Sequence, residues 1–187
     1  MVTEQLIEKF STAARNVGTE VCQFETLAAA AEYVAAHLSG VLLVPSFASG
    51  VRHQLSETLT KVGISVEETL SRETAPQAQA GITGVNFAMA DTGTLALEST
   101  AEDIRLATTL PEIQFALLDP QKILVDGLAA VEPMRQLHQR DPRNYIAYVT
   151  GPSRTADIER VLTIGVHGPK QLHVLLVPKL SSDLLEM

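Results

Sequence analysis

The sequence predicts an α/β fold: an open, mostly parallel sheet flanked by helices with a small antiparallel element, in one domain spanning residues 1–187. Three observations predict it. Short apolar runs bounded by glycine or proline, such as "GVLLVPS" (Gly40 to Ser46), have the pattern of strands covered on both faces. Amphipathic helical segments alternate with those runs. Two extended runs, "VNFAMAD" and "TLALES", are separated only by Thr92 and Gly93, which predicts a hairpin or a sharp kink in one long strand.

In chain order, Leu6, Ile7 and Phe10 recur at helical spacing, and Phe24 to Leu38 is an alanine-rich helix with Leu27, Val34 and Leu38 on one side. After the strand at 40–46, Val51 to Gly63 returns to helix, with Gly63 where a C-terminal cap belongs. "ISVEE" is the next strand, followed by a polar stretch (Arg72 to Gly81) and the hairpin. Ile113 to Asp119 and Tyr145 to Thr150 are apolar strands separated by the helical segment "GLAAVEPMRQLHQR". "GPSRT" then opens a helix striped by Ile158, Val161 and Leu162, with Thr155 as its N-cap. Gly165 ends that helix, Gly168 and Pro169 make a tight turn, and Leu172 to Pro178 is the last strand, with His173 a structural residue.

Composition narrows the function classes. A formal charge of −8 with no gathered basic residues sets the chain against a nucleic-acid backbone. Apolar runs such as Val41 to Val44 fall far short of the ~20 residues of a membrane helix. The acidic start, "MVTEQLIEKF", lacks the basic and then apolar pattern of a secretion signal, so a cytoplasmic protein is expected. The single cysteine, Cys22, can form no internal disulfide and cannot supply the four thiolates of an iron–sulfur cluster. No cofactor bound by this chain is expected.

Two constellations are candidates for chemistry. Gly151, Ser153, Arg154 and Thr155 follow a strand and precede a helix, so they are expected at the carboxyl edge of the sheet, where helix N-termini receive anions. Thr155 as a plain cap, with Asp157 and Glu159 neutralising the helix dipole, is the competing reading. His167, between Gly165 and Gly168, can exchange protons near neutral pH or simply occupy a turn. In "ADTGTLAL", Asp91 at the kink beside Thr92, Gly93 and Thr94 is either a base or nucleophile, or a turn residue that bonds its own backbone. His167 and His173 with Asp157 or Glu159 match no zinc spacing, so no metal site is expected.

The segments "GITGVNFAMADTGTLALES", "TTLPEIQFALLDPQKIL" and "GPSRTADIERVLTIGVHGPKQLHVLLV" together resemble the LUD domain of the lactate-utilisation protein C family, over about Gly81 to Val177. The resemblance implies a fold similar to the ribose-phosphate isomerase and CoA-transferase superfamily. It also implies a role in oxidising L-lactate to pyruvate beside two iron–sulfur partner subunits, which would carry the clusters. Where many relatives have a histidine, this chain has Gln114. Three functions remain open: an accessory subunit binding a small anionic ligand, a free-standing isomerase or acyl-CoA transferase using Asp91 and the Arg154 turn, and an interaction module without a ligand.

Overall fold

The computed structural model describes residues 4–140, 143–155 and 163–187. In chain order the elements are α1 (Glu4–Asn16), β1 (Glu20–Gln23), α2 (Leu27–Ala36), β2 (Val41–Leu43), α3 (Ala48–Arg52), α4 (Leu55–Lys61) and β3 (Ser65–Glu67). They continue with β4 (Ala80–Gly84), β5 (Phe87–Met89), β6 (Thr94–Glu98), α5 (Glu102–Thr109), β7 (Ile113–Leu118) and β8 (Ile123–Leu124). The last are α6 (Val131–Arg140), β9 (Ile146–Val149), β10 (Arg154–Thr155), β11 (Thr163–Ile164) and β12 (Gln171–Leu176). None of the described helices is long and apolar enough to cross a membrane.

Six strands form a parallel sheet ordered β1-β12-β7-β4-β2-β3. Its central strands are largely buried: every residue of β4 and β7 is, as expected of strands covered on both faces. Alternation divides the side chains. Leu42, Ile82, Phe115 and Leu175 pack against α2 and α4 through Ala30, Val34, Leu55 and Leu59. Val21, Ala116, Leu118, Val174 and Leu176 face Phe10 and Ala14 of α1 and Leu95 and Leu97 of β6. His173 is 3% exposed; its Nδ1 pairs with Tyr33 Oη at 2.9 Å and its ring lies beside Phe115, the structural role expected of it.

A second sheet, β8-β5-β6-β9, packs on the α1 side. β5 and β6 form the expected hairpin, with Phe87 opposite Ala96 and Met89 opposite Thr94. α6 closes its far face through Leu137 against Phe87 and Ala96.

Several local expectations shift. The helix expected over 51–63 is two, because Gln54 adopts a left-handed conformation (φ 51°) and turns the chain between α3 and α4. Gly63 does follow α4 at φ 87°, where a positive φ suits glycine. The polar stretch ending at Gly81 runs into β4, a strand made of small residues because α5 lies directly on it: a Cβ at Gly81 would overlap the carbonyl oxygen of Ala107. Thr155 pairs with Thr163 in the β10–β11 ladder, the helix it is expected to cap lies outside the described residues, and Gly165 follows β11. The expected stripe Ile158, Val161 and Leu162, with Asp157 and Glu159, lies outside the described residues.

The parallel strands give the sheet two unlike rims. The carboxyl rim holds the segments after β2, β4, β7 and β12; the amino rim holds those before them.

Candidate functional site

The residues expected to carry chemistry meet the fold at its amino rim. At the hairpin tip, Gly93 (φ 67°) lies against the last turn of α1, and a Cβ there would overlap backbone atoms of Ala13 and Ala14. That close approach leaves Asp91 and Thr92 exposed and buries Thr94. A row of side chains links the two turns: Asp91 Oδ1 lies 3.4 Å from Thr92 Oγ1, which lies 2.8 Å from Thr94 Oγ1, which lies 2.9 Å from Thr150 Oγ1. The Asp91 turn and the "TGPSRT" turn are thus hydrogen-bonded neighbours.

Glycines also fix the second turn. A Cβ at Gly151 (φ 80°) would overlap the carbonyl oxygen of Val17, and Arg154 donates from Nη2 to the same oxygen, just past the end of α1. A cation on the last carbonyls of a helix satisfies an orphan acceptor and opposes the dipole. Ser153 accepts at its carbonyl from Gly165 N and donates its own N–H to Pro169 O, both at 2.9 Å. The loop carrying His167 and Gly168 is therefore sewn onto the Arg154 turn, while Lys170 donates to Glu112 Oε1 at 2.5 Å.

Two findings correct the expected placement. The Gly151–Thr155 turn does follow the carboxyl end of a strand, but that strand, β9, pairs antiparallel with β6 in the second sheet. The turn consequently lies at the amino rim of the parallel sheet, beside the start of β1. Asp91 and His167 also face different hollows. Asp91 lines one of about 450 Å3 with Lys9, Thr12 and Asn16 of α1. His167 lines another, of about 560 Å3, with Pro76, Leu110 and Lys170. The linings share no residue, so the expected site residues share a rim and a hydrogen-bonded scaffold but not these hollows. Gln114 is in β7, 2% exposed, and its Nε2 has no hydrogen-bond partner among the described residues.

The family model of the LUD domain matches residues 7–177. The chain belongs to the LUD domain family. Among curated relatives, Lactate utilization protein C of Anoxybacillus flavithermus is 32% identical, over 74% of this chain and 63% of the relative. The protein of the same description from Bacillus subtilis is 34% identical over 59% of this chain and 46% of its own length. The chain thus spans between 46% and 63% of the length of these relatives. A crystal structure of a DUF162 family protein from Deinococcus radiodurans superposes with a TM-score of 0.67 over 92% of this chain and 96% of that one, at 20% identity, which shows the shared fold.

In this LUD domain the carboxyl rim holds polar residues that the sequence reading passed over. Asp119, 2% exposed, accepts from Gln121 N at Oδ1 and from Leu180 N (2.8 Å) and Ser181 N (3.2 Å) at Oδ2. Lys122, also 2% exposed, donates to Val85 O and to Glu186 O. Burial pushes its ammonium down to about 8, against the opposing pull of Glu186 and Asp119. The signal for both was "LLDPQK": an acid and a cation directly after an apolar strand, the usual position of ligand-facing groups in an open α/β sheet. Among the described residues, no three His, Cys, Asp or Glu side chains are grouped as a metal ion would need.

Proposed function

We propose that this LUD domain serves L-lactate utilisation as an accessory subunit of a system that oxidises L-lactate to pyruvate, with iron–sulfur clusters carried by partner subunits. The observation that supports it is the family match over residues 7–177, joined by relatives described as Lactate utilization protein C. With one cysteine, the chain lacks the thiolates for a cluster of its own, so electrons taken from lactate would pass to a partner. A cytoplasmic location follows from the same reading.

The ligand assigned to this subunit is a small anion held at the amino rim, where Arg154, His167 and Thr92 are exposed and backbone turns at Gly93, Thr94, Gly151, Ser153, Thr155 and Gly168 are fixed. The alternative is a free-standing isomerase or acyl-CoA transferase with Asp91 as its carboxylate; it draws on the exposed place of Asp91 in a hollow beside Lys9. That reading also needs the Arg154 guanidinium, which donates to Val17 O, as a phosphate grip.

Growth on L-lactate as sole carbon source tests the first reading. Deletion is expected to abolish growth and re-introduction to restore it, with the chain recovered in complex with iron–sulfur proteins. Normal growth of the deletion strain refutes it. A thermal shift with sugar phosphates or CoA esters, lost in Asp91→Asn, would instead establish the enzyme.

A further inference from the structure

The two larger sheets end in the edge strands β1, β3, β8 and β9, and all but the last are guarded. Beside β1, Arg15 Nη2 donates to Val21 O at 2.9 Å. β3 is three residues long and ends in a charge, Glu67, with Glu68 directly after it. β8 has two residues, and Lys9 Nζ stands 3.5 Å from the carbonyl oxygen that follows it, Val125 O. Short strands, charges and occupied main-chain groups keep a sheet edge from pairing with another chain. β9 has no such guard. From Asn144 to Gly151 the sequence, "NYIAYVTG", holds neither a charge nor a proline, and among the described residues no strand pairs with its outer side.

Hydrogen bonds fix which main-chain groups of β9 face outward. Ala96 O accepts from Asn86 N and Glu98 N donates to Asn86 Oδ1, so these residues of β6 turn their main chain toward β5. The alternate residues turn toward β9, as the bond from Ser99 N to Tyr145 O at 2.7 Å shows. With Leu97 opposite Ala147 and Leu95 opposite Val149, Ala147 and Val149 spend their N–H and C=O groups on β6. Those of Ile146 and Tyr148 point away from the sheet. The side chains match an open edge: no residue of β9 is buried, and Tyr145 and Tyr148 are 62% and 50% exposed. Ile146 and Tyr148 share the face under α6, where Ile146 joins the Leu137 cluster and the Tyr148 hydroxyl donates to Met134 Sδ.

We propose that β9 is the pairing edge for a second copy of this chain, added antiparallel about a two-fold axis at Ala147. The edge is its own complement. The axis sets Ile146 of one copy opposite Tyr148 of the other, and each such pair exchanges both N–H···O bonds. The same pairing lays an aromatic ring against a β-branched side chain on either side of the axis, a favourable cross-strand contact. Arg143, the charge that precedes the strand, falls opposite Gly151, so the strand pair brings no like charges face to face although the chain carries −8. The sheet β8-β5-β6-β9 then continues into its copy, and the isologous contact closes at the dimer. A strand of another protein would have to supply a matching uncharged edge; a second copy already carries it. The inference depends on neither the amino-rim ligand nor the lactate reading.

Sedimentation equilibrium of the purified whole chain tests it. A dimer is expected at about 200 μM and a monomer at about 1 μM, because a four-residue edge makes a small interface. Tyr148→Lys places a charge on the edge and should raise the concentration of half-dimerisation at least about tenfold. If its urea midpoint shows a disturbed fold, a pair of cysteine variants made with Cys22→Ser decides instead. At the axis Ala147 faces its own copy, with Cβ atoms roughly 5 Å apart, so Ala147→Cys should crosslink under mild oxidation. Tyr145→Cys, on a more exposed residue, faces Val149 of the copy and should not. A chain that stays monomeric at every concentration, even if a strand of another protein binds it, overturns the proposal. So does a folded Tyr148→Lys that dimerises unchanged, or Tyr145→Cys crosslinking as readily as Ala147→Cys. Loss of lactate growth on deletion is untouched by these outcomes, so the two readings fail separately.

Discussion

The two rims of the parallel sheet are built on opposite terms. At the amino rim, glycines at positive φ bring backbone against backbone, and the polar side chains that remain, Asp91, Arg154 and His167, stand exposed on a stiff frame. At the carboxyl rim the polar groups Asp119 and Lys122 are themselves buried, and what covers them is an irregular strap, residues 180–187, held by side-chain hydrogen bonds. The first rim presents polar side chains on a fixed surface. The second encloses charge beneath a segment whose release breaks those polar contacts and uncovers Leu180, Leu184, Leu185 and Met187.

Substitutions sharpen that contrast, and the largest effect belongs to the amino rim. Gly93→Ala combines a disfavoured φ with overlap on the α1 backbone, so a loss of about 3 kcal/mol is expected in urea unfolding. A loss under about 1 kcal/mol would mean that α1 yields and the frame is not stiff. Asp119→Ala leaves Leu180 N and Ser181 N without their acceptor and should cost about 2 kcal/mol, with protease sensitivity rising within 178–187. Thr94→Val cuts the hydroxyl row and should cost about 1 kcal/mol without exposing the strap. Arg154→Ala removes one exposed cap and is expected to cost a few tenths of a kcal/mol.

The smallest effect is a pH slope. Burial, and then the neighbouring His37, hold the His173 imidazole below its usual 6.5, so the folded chain binds its proton less readily than the unfolded one. Its contribution is intact above pH 6.5 and fades as pH falls through that value toward the lower folded pKa. Comparing urea midpoints at about pH 7.5 and 5.5 checks this, and His173→Gln should flatten the slope.

Sequence patterning was most informative where one strand carries its own apolar signal. β2, β7 and β12 and the β5–β6 hairpin follow from runs of branched residues and from the Thr92-Gly93 turn. β4 was hidden because α5 presses on it and demands small residues, so "AGITG" carries no strand signature of its own. β1, "EVCQ", is an edge strand whose alternate residues face water, and its pattern is too short to read. The rim assignment failed for a different reason. Local pattern showed that Gly151 follows a strand, but which sheet β9 joins is set by its pairing with β6, some fifty residues away. Lys122 and Asp119 went unread because their partners lie in the strap, about sixty residues further on.

The row from Asp91 to Thr150 has one more property. An ionised carboxylate only accepts, so the Thr92 hydrogen must point outward to Asp91, and the Thr94 hydrogen in turn to Thr92. Thr150 is then left to act as donor toward Thr94. One negative charge at the surface thereby polarises a file of otherwise freely rotating hydroxyls, aligning them head to tail through the buried Thr94 to Thr150 on the next turn. Anything that neutralises Asp91 would let the whole file reverse without shifting a single heavy atom.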